Sequence, residues 1–293
     1  MHQPVLLKEV LHHLNPKPNQ NFIDCTLGEG GHAKAILEKI KPKGKLLGIE
    51  RDPEMLERAK KNLAPYAHEI TLVCGTYADL KSIAQQQGFT AVQGILFDLG
   101  VSLWHFQETH RGFSFQEESP LDMRLNPAEP FTVPASYVIS HYDEKNLSEI
   151  FDQYGGERYG SFIARRIVSS RRHRPIRTAR DLAVIVEEAL GRKRGRIHPA
   201  TRIFQALRIV VNDEFGNLQR GLEAVPEALN SGGRVAILSF HSGEEKIVKA
   251  YLKERIHAGV FSQVTKKPIT PSLGEQRNNP RSRSAKLRVA EKR

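Results

Sequence analysis

A short apolar run followed by a glycine turn constrains the fold of this chain more than any other feature. Residues 22–26 lead into the turn Gly28-Glu29-Gly30-Gly31-His32, and Glu50 closes the next apolar run. A strand, a glycine turn, a helix, a second strand and an acidic residue form the usual frame for an adenosine-bearing cofactor in α/β proteins. Glycines let the backbone approach the ligand, and the later carboxylate accepts hydrogen bonds from ribose hydroxyls. The spacing therefore predicts a nucleoside cofactor.

The order of the glycines distinguishes between cofactors. A dinucleotide fingerprint needs Gly-x-Gly-x-x-Gly to bring a pyrophosphate onto the helix N-terminus, but position 33 is alanine. Glu29 would also repel a diphosphate. S-adenosylmethionine has no phosphate, and its ammonium and sulfonium groups are positive, so a carboxylate-bearing loop favours it. Without Glu50 at this distance, a plain strand-to-helix turn would explain the glycines equally well.

Composition limits the class of protein. A chain of 293 residues with 39% hydrophobic content can bury a large core in one or two domains. No apolar run is long enough for a membrane span, and the first residues lack a basic, apolar leader, which predicts a soluble, cytoplasmic protein. Cys25 and Cys74 lie far apart in strand-like runs, so no disulfide is expected. The 12 histidines show no zinc-binding spacing, and a Mg²⁺ held by carboxylates is left open.

Basic residues concentrate in two parts of the chain. Residues 158–208 contain 14 Lys plus Arg and 3 acids, a surplus of +11 that equals the net charge of the whole chain. A second cluster, residues 277–293, contains seven cations and one acid. A charged helix is usually a solvated face, but such a face carries mixed signs. The one-sided surplus of residues 158–208 therefore favours contact with RNA phosphates.

Strand and helix patterns alternate over the first hundred residues. Between the first two strands a helix is expected, and after the second Asp52 is suited to cap a helix that begins at Pro53. Such alternation predicts a parallel sheet with helices on both faces, and a ligand at the carboxyl ends of its strands. The predicted strands cover residues 21–26, 45–50, 70–74 and 92–98.

The alternation breaks over residues 104–212, where helical periodicity replaces it. We predict a helical RNA-binding domain there, inserted between two parts of a methyltransferase-like α/β domain, residues 1–103 and 213–293. Two final strands without an intervening helix would form a hairpin with one antiparallel member, an ending familiar from class I (Rossmann-like) methyltransferase sheets. Helices are expected at 158–170, 178–190, 199–215 and 244–255, and strands at 234–240, 261–266 and 285–290.

Ten phrases, in order along the whole chain, resemble the MraW (RsmH) family of bacterial small-subunit ribosomal RNA cytosine-N4-methyltransferases. They are HQPVLLKEV (2–10), GEGGH (28–32), ERDP (50–53), DLGVS (98–102), RGFSF (111–115), PLDMR (120–124), YGGER (154–158), HPATR (198–202), SFHS (239–242) and NPRSRS (279–284). The joint match is far more specific than the glycine turn alone.

The resemblance implies methyl transfer from S-adenosylmethionine to the exocyclic N4 amine of a cytidine in the decoding region of 16S ribosomal RNA, within the small ribosomal subunit. Family members often carry Asp at the position of Glu50, and a glutamine cofactor contact at the position of His105. By family position, Gly30, Gly31 and His32 would contact the methionine part of the cofactor, and Glu50 would contact the ribose. Tyr77 would lie near the adenine, and Asp98 would lie at the rim nearest the reacting methyl. His105 would be a further cofactor contact.

Methylation of this amine requires a hydrogen-bond acceptor. The lone pair of the cytosine NH₂ is delocalised into the ring, so an enzyme must align the amine with the methyl and keep electron density on nitrogen. Asp98, at a strand end, is the predicted catalytic acceptor and could also take the proton. Capping a turn or binding the cofactor amine are equally open roles for Asp98. No cysteine lies in a comparable position, so a covalent route is not expected.

The target base must leave its stack to reach such a pocket. His198 and His241 are candidate substrate contacts, although a helix cap at His198 and a structural hydrogen bond at His241 are open alternatives. Two other functions compete: methylation of an adenine amine or a protein, and a non-catalytic ribosome-assembly factor, which the intact cofactor residues disfavour. The predicted phosphate contacts are Arg165, Arg166, Arg171, Arg172 and Arg202.

Overall fold

The computed structural model describes residues 4–191 and 198–293, which divide into two compact units. One unit comprises Met1–Gly100 with Phe215–Arg293, and the other is Val101–Glu214. We call them the sheet unit and the helical unit. Within the described ranges, none of the helices combines the length and hydropathy that a membrane span requires.

The sheet unit is built on seven strands in the order β3-β2-β1-β4-β5-β7-β6. Neighbours from β3 to β5 pair in parallel, whereas β7 is antiparallel to both β5 and β6. The predicted class I, Rossmann-like sheet with a terminal antiparallel hairpin is confirmed. The strands are β1 (Phe22–Asp24), β2 (Leu46–Glu50), β3 (Ile70–Cys74), β4 (Val92–Asp98), β5 (Leu229–Ser239), β6 (Phe261–Gln263) and β7 (Lys286–Lys292).

Both faces of this sheet are buried because successive side chains of a strand point to opposite sides. Ile95 and Phe97 of β4 belong to one apolar cluster, and Leu96 between them belongs to another. Helices cover both faces, as is usual for a parallel sheet. Numbered along the chain, the helices of this unit are α1 (Leu7–Leu14), α2 (Gly31–Ile40), α3 (Pro53–Asn62), α4 (Leu80–Gln86), α11 (Glu214–Ala228), α12 (Ser242–His257) and α13 (Leu273–Asn278).

Helix α3 begins as its sequence predicts. Pro53 is its first residue, and the Asp52 side chain accepts hydrogen bonds from the backbone N–H groups of Glu54 at 2.9 Å and Met55 at 3.4 Å. These bonds satisfy two donors that the first helical turn would otherwise leave unpaired. The cap fixes the direction in which the chain leaves Glu50.

The helical unit packs its helices around a separate apolar cluster that includes Phe151, Ile163, Ile167, Leu182 and Leu207. Apart from an isolated bridge between Pro120 and Thr178, its described residues form no strand. Its helices are α5 (Leu103–Gln107), α6 (Ala135–His141), α7 (Glu144–Gln153), α8 (Gly160–Arg171), α9 (Ala179–Leu190) and α10 (Ala200–Val211).

The single helix predicted over residues 199–215 is wrong at its C-terminal end, because α10 stops at Val211. The Asn212 amide donates to the carbonyls of Met123 at 2.8 Å and Arg208 at 2.9 Å, and its oxygen accepts from the N–H of Leu125 at 2.8 Å. Asp213 then adopts a left-handed φ of 46°, a conformation that Asn and Asp tolerate better than most residues. A tight turn therefore separates α10 from α11.

Candidate cofactor and active site

Three carboxylates end three adjacent parallel strands of the sheet unit. Asp24 is the last residue of β1, Glu50 of β2 and Asp98 of β4. Because these strands run in the same direction, their carboxyl ends form one edge, where α/β proteins bind ligands. The predicted glycine turn follows β1 at this edge.

The glycine turn is shaped by backbone and packing that exclude larger residues. Gly30 has a φ of 85°, and a Cβ atom there would lie 2.6 Å from Cδ1 of Leu63. A Cβ atom at Gly31 would lie 2.6 Å from Cγ of Pro4. Gly30 occupies the N-cap position of α2 without a side-chain cap. The turn therefore exposes backbone rather than side chains at the start of this helix.

Glu50 holds the glycine turn in place. Its Oε2 accepts a hydrogen bond from the N–H of Gly28, and its Oε1 accepts one from the N–H of Asp52, each at 2.9 Å. Desolvation raises the pKa of the Glu50 carboxyl to about 7, against the backbone hydrogen bonds of Asp52, Gly28 and Arg51 that lower it. A carboxylate has about four lone-pair sites, so Glu50 can still accept a hydrogen bond from a ribose hydroxyl.

Buried His32 and partly exposed Asp98 form a pair with unused hydrogen-bonding capacity. His32 is only 5% exposed, and its Nε2 lies 3.5 Å from Oδ2 of Asp98. Within the described part of the chain, neither ring nitrogen of His32 nor Oδ1 of Asp98 has a hydrogen-bond partner. The Asp98 backbone is fixed by its N–H, which donates to Oγ1 of Thr26 at 2.6 Å. Buried polar atoms without partners mark a place where a ligand's polar group fits.

Asp24 is a site residue that the sequence reasoning missed. It is 1% exposed, and its Oδ1 accepts a hydrogen bond from the N–H of Thr26 at 3.1 Å. Desolvation raises the pKa of the Asp24 carboxyl to about 6, while nearby His32 lowers it and Asp98 raises it. The available signal was an acidic residue inside the apolar run of residues 22–25, because a buried carboxyl group is costly unless it is paired or hydrogen-bonded.

The donor set fits S-adenosylmethionine. Asp24 and Asp98 place two carboxyl groups near the glycine turn, which suits the positive ammonium and sulfonium of that cofactor. Glu50 supplies the ribose acceptor. Tyr77 follows β3, and its ring packs edge-on against Phe97 at a centroid distance of 5.6 Å.

Helix α11 supports this part of the site. A Cβ atom at Gly221 would lie 2.8 Å from the carbonyl oxygen of Tyr77, so the helix packs directly against the Tyr77 turn. The sequence reasoning did not predict α11. Leu218, Leu222 and Val225 form its buried stripe at helical spacing, which was the signal available.

His241 follows β5 and begins α12. Its side chain accepts a hydrogen bond from the N–H of Glu244 at 3.4 Å, while the Glu244 carboxylate accepts one from the N–H of His241 at 3.3 Å. The reciprocal arrangement is a capping box, with histidine in place of the more common Ser or Thr. The structure thus gives His241 a structural hydrogen bond, one of its two predicted roles.

Two predicted histidines lie in the helical unit. His105 is 5% exposed, and its Nδ1 accepts a hydrogen bond from the N–H of Ser102 at 3.2 Å at the start of α5. Its ring packs edge-on against Trp104 and Phe113. His198 accepts a hydrogen bond from the N–H of Ala200 at 3.2 Å, and its ring stacks on Phe115 at 4.3 Å.

The predicted arginines of the helical unit differ in their contacts. Arg165 pairs with Glu144 at 3.2 Å, and Arg171 donates to the carbonyl of Ile139 at 2.5 Å. Nη1 of Arg202 lies 3.7 Å from Oε2 of the buried Glu157. Arg166 and Arg172 are exposed and form no ion pair with any carboxylate that the structure describes. Further cations of this cluster, at 192–196, lie outside the described residues.

The sheet topology and the carboxylate-rimmed glycine turn define a class I methyltransferase. The MraW methylase family matches residues 1–293, and the chain belongs to this family.

Curated relatives match over almost their whole length. A protein of Halothermothrix orenii named "Ribosomal RNA small subunit methyltransferase H" is 42% identical over 309 residues, which cover 99% of this chain and 98% of the relative. A protein of the same name from Dictyoglomus thermophilum is 41% identical and covers 100% of this chain and 97% of its own. Full coverage at this identity supports the family assignment independently of the sheet.

Solved structures show weaker likeness. A putative rRNA-methylase from Clostridium thermocellum has a TM-score of 0.46 at 11% identity, with both chains covered completely. TrmN from Thermus thermophilus has a TM-score of 0.47 at 12% identity and covers 98% of this chain and 48% of its own. The family assignment rests on the sequence matches.

Proposed function

We propose that this methyltransferase transfers the methyl group of S-adenosylmethionine to the exocyclic N4 amine of a cytidine in the decoding region of 16S ribosomal RNA, within the small ribosomal subunit. The names of the relatives support an RNA of the small subunit as substrate. The observation that carries the proposal is the pair of buried His32 and partly exposed Asp98 at the cofactor edge, with its polar atoms that lack a partner among the described residues. A substrate of this kind places the enzyme in the cytoplasm.

Different residues of the sheet unit contact different parts of the cofactor. The backbone of Gly30 and Gly31 lies against the methionine part, together with His32. Glu50 accepts hydrogen bonds from the ribose, and Tyr77 borders the adenine. Asp24 and Asp98 balance the positive charge of the donor. When bound, S-adenosylmethionine supplies an electrophilic methyl carbon on a sulfonium leaving group.

Asp98 acts on the nucleophile. Its carboxylate, on a side chain that is 25% exposed, accepts a hydrogen bond from the cytosine NH₂, which keeps the nitrogen lone pair available and orients it toward the methyl carbon. As the N–C bond forms and the S–C bond breaks, positive charge develops on the amine nitrogen. Asp98 stabilises that charge and accepts the proton that leaves. His32, 3.5 Å away, keeps the carboxylate in position.

The exposed arginines of the helical unit contact the RNA backbone. Arg166 and Arg172 are the strongest candidates, because both are exposed and unpaired within the described chain. Arg165 can exchange its exposed pair with Glu144 for a phosphate at little cost, since surface ion pairs contribute only about 0–1 kcal/mol. Arg171 bonds a backbone carbonyl and therefore contributes charge from a fixed position.

Labelled methyl transfer tests this function. Small subunits that lack the modification are incubated with the protein and labelled S-adenosylmethionine, and the nucleosides are analysed by mass spectrometry. N4-methylcytidine is the expected product. Asp98→Ala should lower turnover by about 100-fold or more while most cofactor affinity is kept, because general acid–base groups typically contribute that much. Asp152→Ala, at an exposed aspartate of α7, is the matched control and should keep full turnover.

Three outcomes would contradict the proposal. Retained turnover in Asp98→Ala would remove Asp98 from the chemistry. Methylated adenosine or methylated protein would assign a different acceptor. Tight binding of the subunit without any methyl incorporation would identify a non-catalytic assembly factor.

A further inference from the structure

The connection between β6 and β7 lies at the same edge of the sheet as the glycine turn. Strand β5 is parallel to β4, and β7 is antiparallel to β5, with Lys286 opposite Ser239 at the end of β5. Strand β6 is in turn antiparallel to β7. Residues 264–285 therefore leave and re-enter the sheet at the carboxyl edge of β4 and β5. That is the edge where Asp98 lies.

Two contacts of the N-terminal segment link this connection to the cofactor loop. The N–H of Leu6 donates a hydrogen bond to Oε1 of Glu275 in α13 at 2.7 Å. Two residues earlier, Pro4 packs directly on Gly31, as the 2.6 Å approach described above requires. The connection and the glycine turn thus contact the same short segment of chain.

The connection is held in a defined conformation. Ile269 and Leu287 exchange two backbone hydrogen bonds of 2.9 Å. Ser282 is fully buried, its hydroxyl donates to the carbonyl of Asn279 at 2.8 Å, and its own carbonyl accepts from the N–H of Ala285 at 2.8 Å. With Ser282 buried, the next residue, Arg283, is exposed. The local hydrogen bonds therefore fix where this cation is presented.

The charge of the connection is one-sided. Residues 264–286 contain six cations and a single acid, Glu275, whose carboxylate bonds the Leu6 N–H. We call five of these cations the β6–β7 basic surface: Lys266, Lys267, Arg277, Arg283 and Lys286. Among the described residues, no carboxylate forms an ion pair with any of the five, and all except the half-buried Lys286 are exposed.

Helix stabilisation accounts for at most two of these five cations. Arg277 lies in the last turn of α13, where a cation stabilises the helix dipole. Arg283 lies in the last turn of the short 3-10 helix Pro280–Ser284, and Lys266, Lys267 and Lys286 lie outside the described helices. Five cations within residues 266–286, without ion-pair partners among the described residues, give this connection a positive charge, and a polyanion is the partner that complements it.

We propose that the β6–β7 basic surface binds the phosphate backbone of the substrate RNA beside the nucleotide that enters the active site. The inference rests on the proposed function, because that function makes the substrate an RNA. The surface belongs to the sheet unit and lies at its cofactor edge. It therefore supplies a second RNA contact besides the arginines of the helical unit, one that holds the strand close to the reacting base.

Binding of RNA by a charge-neutralised variant tests the surface. Lys266, Lys267, Arg277 and Arg283 are replaced together by Gln in the full chain. Affinity for a labelled single-stranded RNA oligonucleotide and for unmethylated small subunits is measured without cofactor over a series of salt concentrations. Each phosphate that is no longer neutralised should weaken binding about fivefold at about 0.1 M salt, and should lower the slope of log K against log salt by about 0.7. If two of the four residues neutralise phosphates, the affinity should fall about 25-fold.

A matched control keeps the same change in charge but moves it to the opposite edge. Lys17, Lys39, Lys43 and Lys61 are exposed and precede β1, β2 and β3, at the amino ends of the strands. Their joint replacement by Gln should leave the RNA affinity and the salt slope near those of the wild-type protein. In a second control, each Lys of the basic surface is replaced by Arg and each Arg by Lys. This variant keeps the charge and should keep the RNA affinity. Cofactor affinity and the unfolding midpoint verify that each variant is folded.

The outcomes separate this inference from the proposed function. Equal reductions of affinity in the two Gln variants, or an unchanged affinity and slope in the first, would overturn the surface as an RNA site. Unchanged binding of the oligonucleotide with weakened binding of whole subunits would assign the surface to an acidic protein and would also overturn it. RNA binding that depends on the surface, in a protein that methylates no cytidine, would support the surface and contradict the function.

Discussion

Burial of Asp24 predicts a pH-dependent change in the stability of the sheet unit. Desolvation raises the pKa of this carboxyl from its ordinary 3.8 to about 6 in the folded protein. The folded state therefore binds the proton more tightly than the unfolded state. The resulting stabilisation is fully present below about pH 4 and is lost as the pH rises through about 6. Asp24→Asn removes the titration but keeps an oxygen that can accept the hydrogen bond from Thr26.

The size of the effect follows from the two pKa values. A change from 3.8 to about 6 corresponds to about 3 kcal/mol between the protonated and the ionised limits. Between about pH 4.5 and about pH 8 the linkage gives about 2 kcal/mol, because part of the unfolded-state titration is already complete at the lower value. The Asn variant should therefore gain about 2 kcal/mol relative to the wild-type protein over this range.

Hydrogen exchange measures this difference within the sheet unit. The free energy of opening is obtained from the amides of β4, corrected for the intrinsic pH dependence of exchange, in both proteins at about pH 4.5, 6 and 8. Asp152→Asn, at an exposed aspartate, should give a difference that does not change with pH. A flat difference for Asp24→Asn would refute the desolvation argument. A variant that loses stability at about pH 8 would show that the attraction between Asp24 and His32 outweighs desolvation.

Two further predictions concern ligands. Because desolvation raises the pKa of Glu50 to about 7, cofactor affinity should increase as the pH rises through 7 and the carboxylate ionises. Calorimetry should show that Glu50→Gln binds the cofactor about tenfold or more weakly at about pH 8. The affinity of this variant should also lose the dependence on pH. Equal affinity of the two proteins would exclude Glu50 from the ribose site. Replacement of Arg165, Arg166, Arg171 and Arg172 by Gln should flatten the salt dependence of RNA binding by about 0.7 to 0.9 log units for each phosphate that the arginines neutralise. An unchanged slope would mean that the helical unit does not hold RNA.

The strands of the sheet could be predicted because their signals are local. The observed bounds of β3 and β4 coincide with the predicted 70–74 and 92–98. Apolar runs of this length between turn residues indicate buried parallel strands, and Asp52 with Pro53 marks a helix start by chemistry within one turn. The outline of the cofactor edge follows from these elements.

Features that depend on distant packing could not be predicted. Helix α11 contains Gly221 and Pro226, two residues that usually argue against a helix, and Gly221 is explained only by its approach to Tyr77. The end of α10 depends on Asn212, whose amide bonds reach Met123 and Leu125 in a distant loop. No local pattern reports such partners.

The hydrogen bonds of Glu50 and the raised pKa of Asp24 could not be predicted from the sequence either. Glu50 was predicted as a ribose acceptor, but its two bonds to Gly28 and Asp52 require the loop and the strand to be assembled. Asp24 acquires its raised pKa only when burial removes water from it. The individual roles of the predicted site residues remain predictions for the experiments above.

The position of the helical unit within the chain has a consequence for biosynthesis. Strand β4 ends before residue 101, yet its parallel neighbour β5 begins only after residue 214. A ribosome making this protein therefore releases a complete helical unit while the sheet still lacks three of its seven strands. The helical unit can fold as soon as it emerges, whereas the seven-stranded sheet is complete only after β5, β6 and β7 have been synthesised.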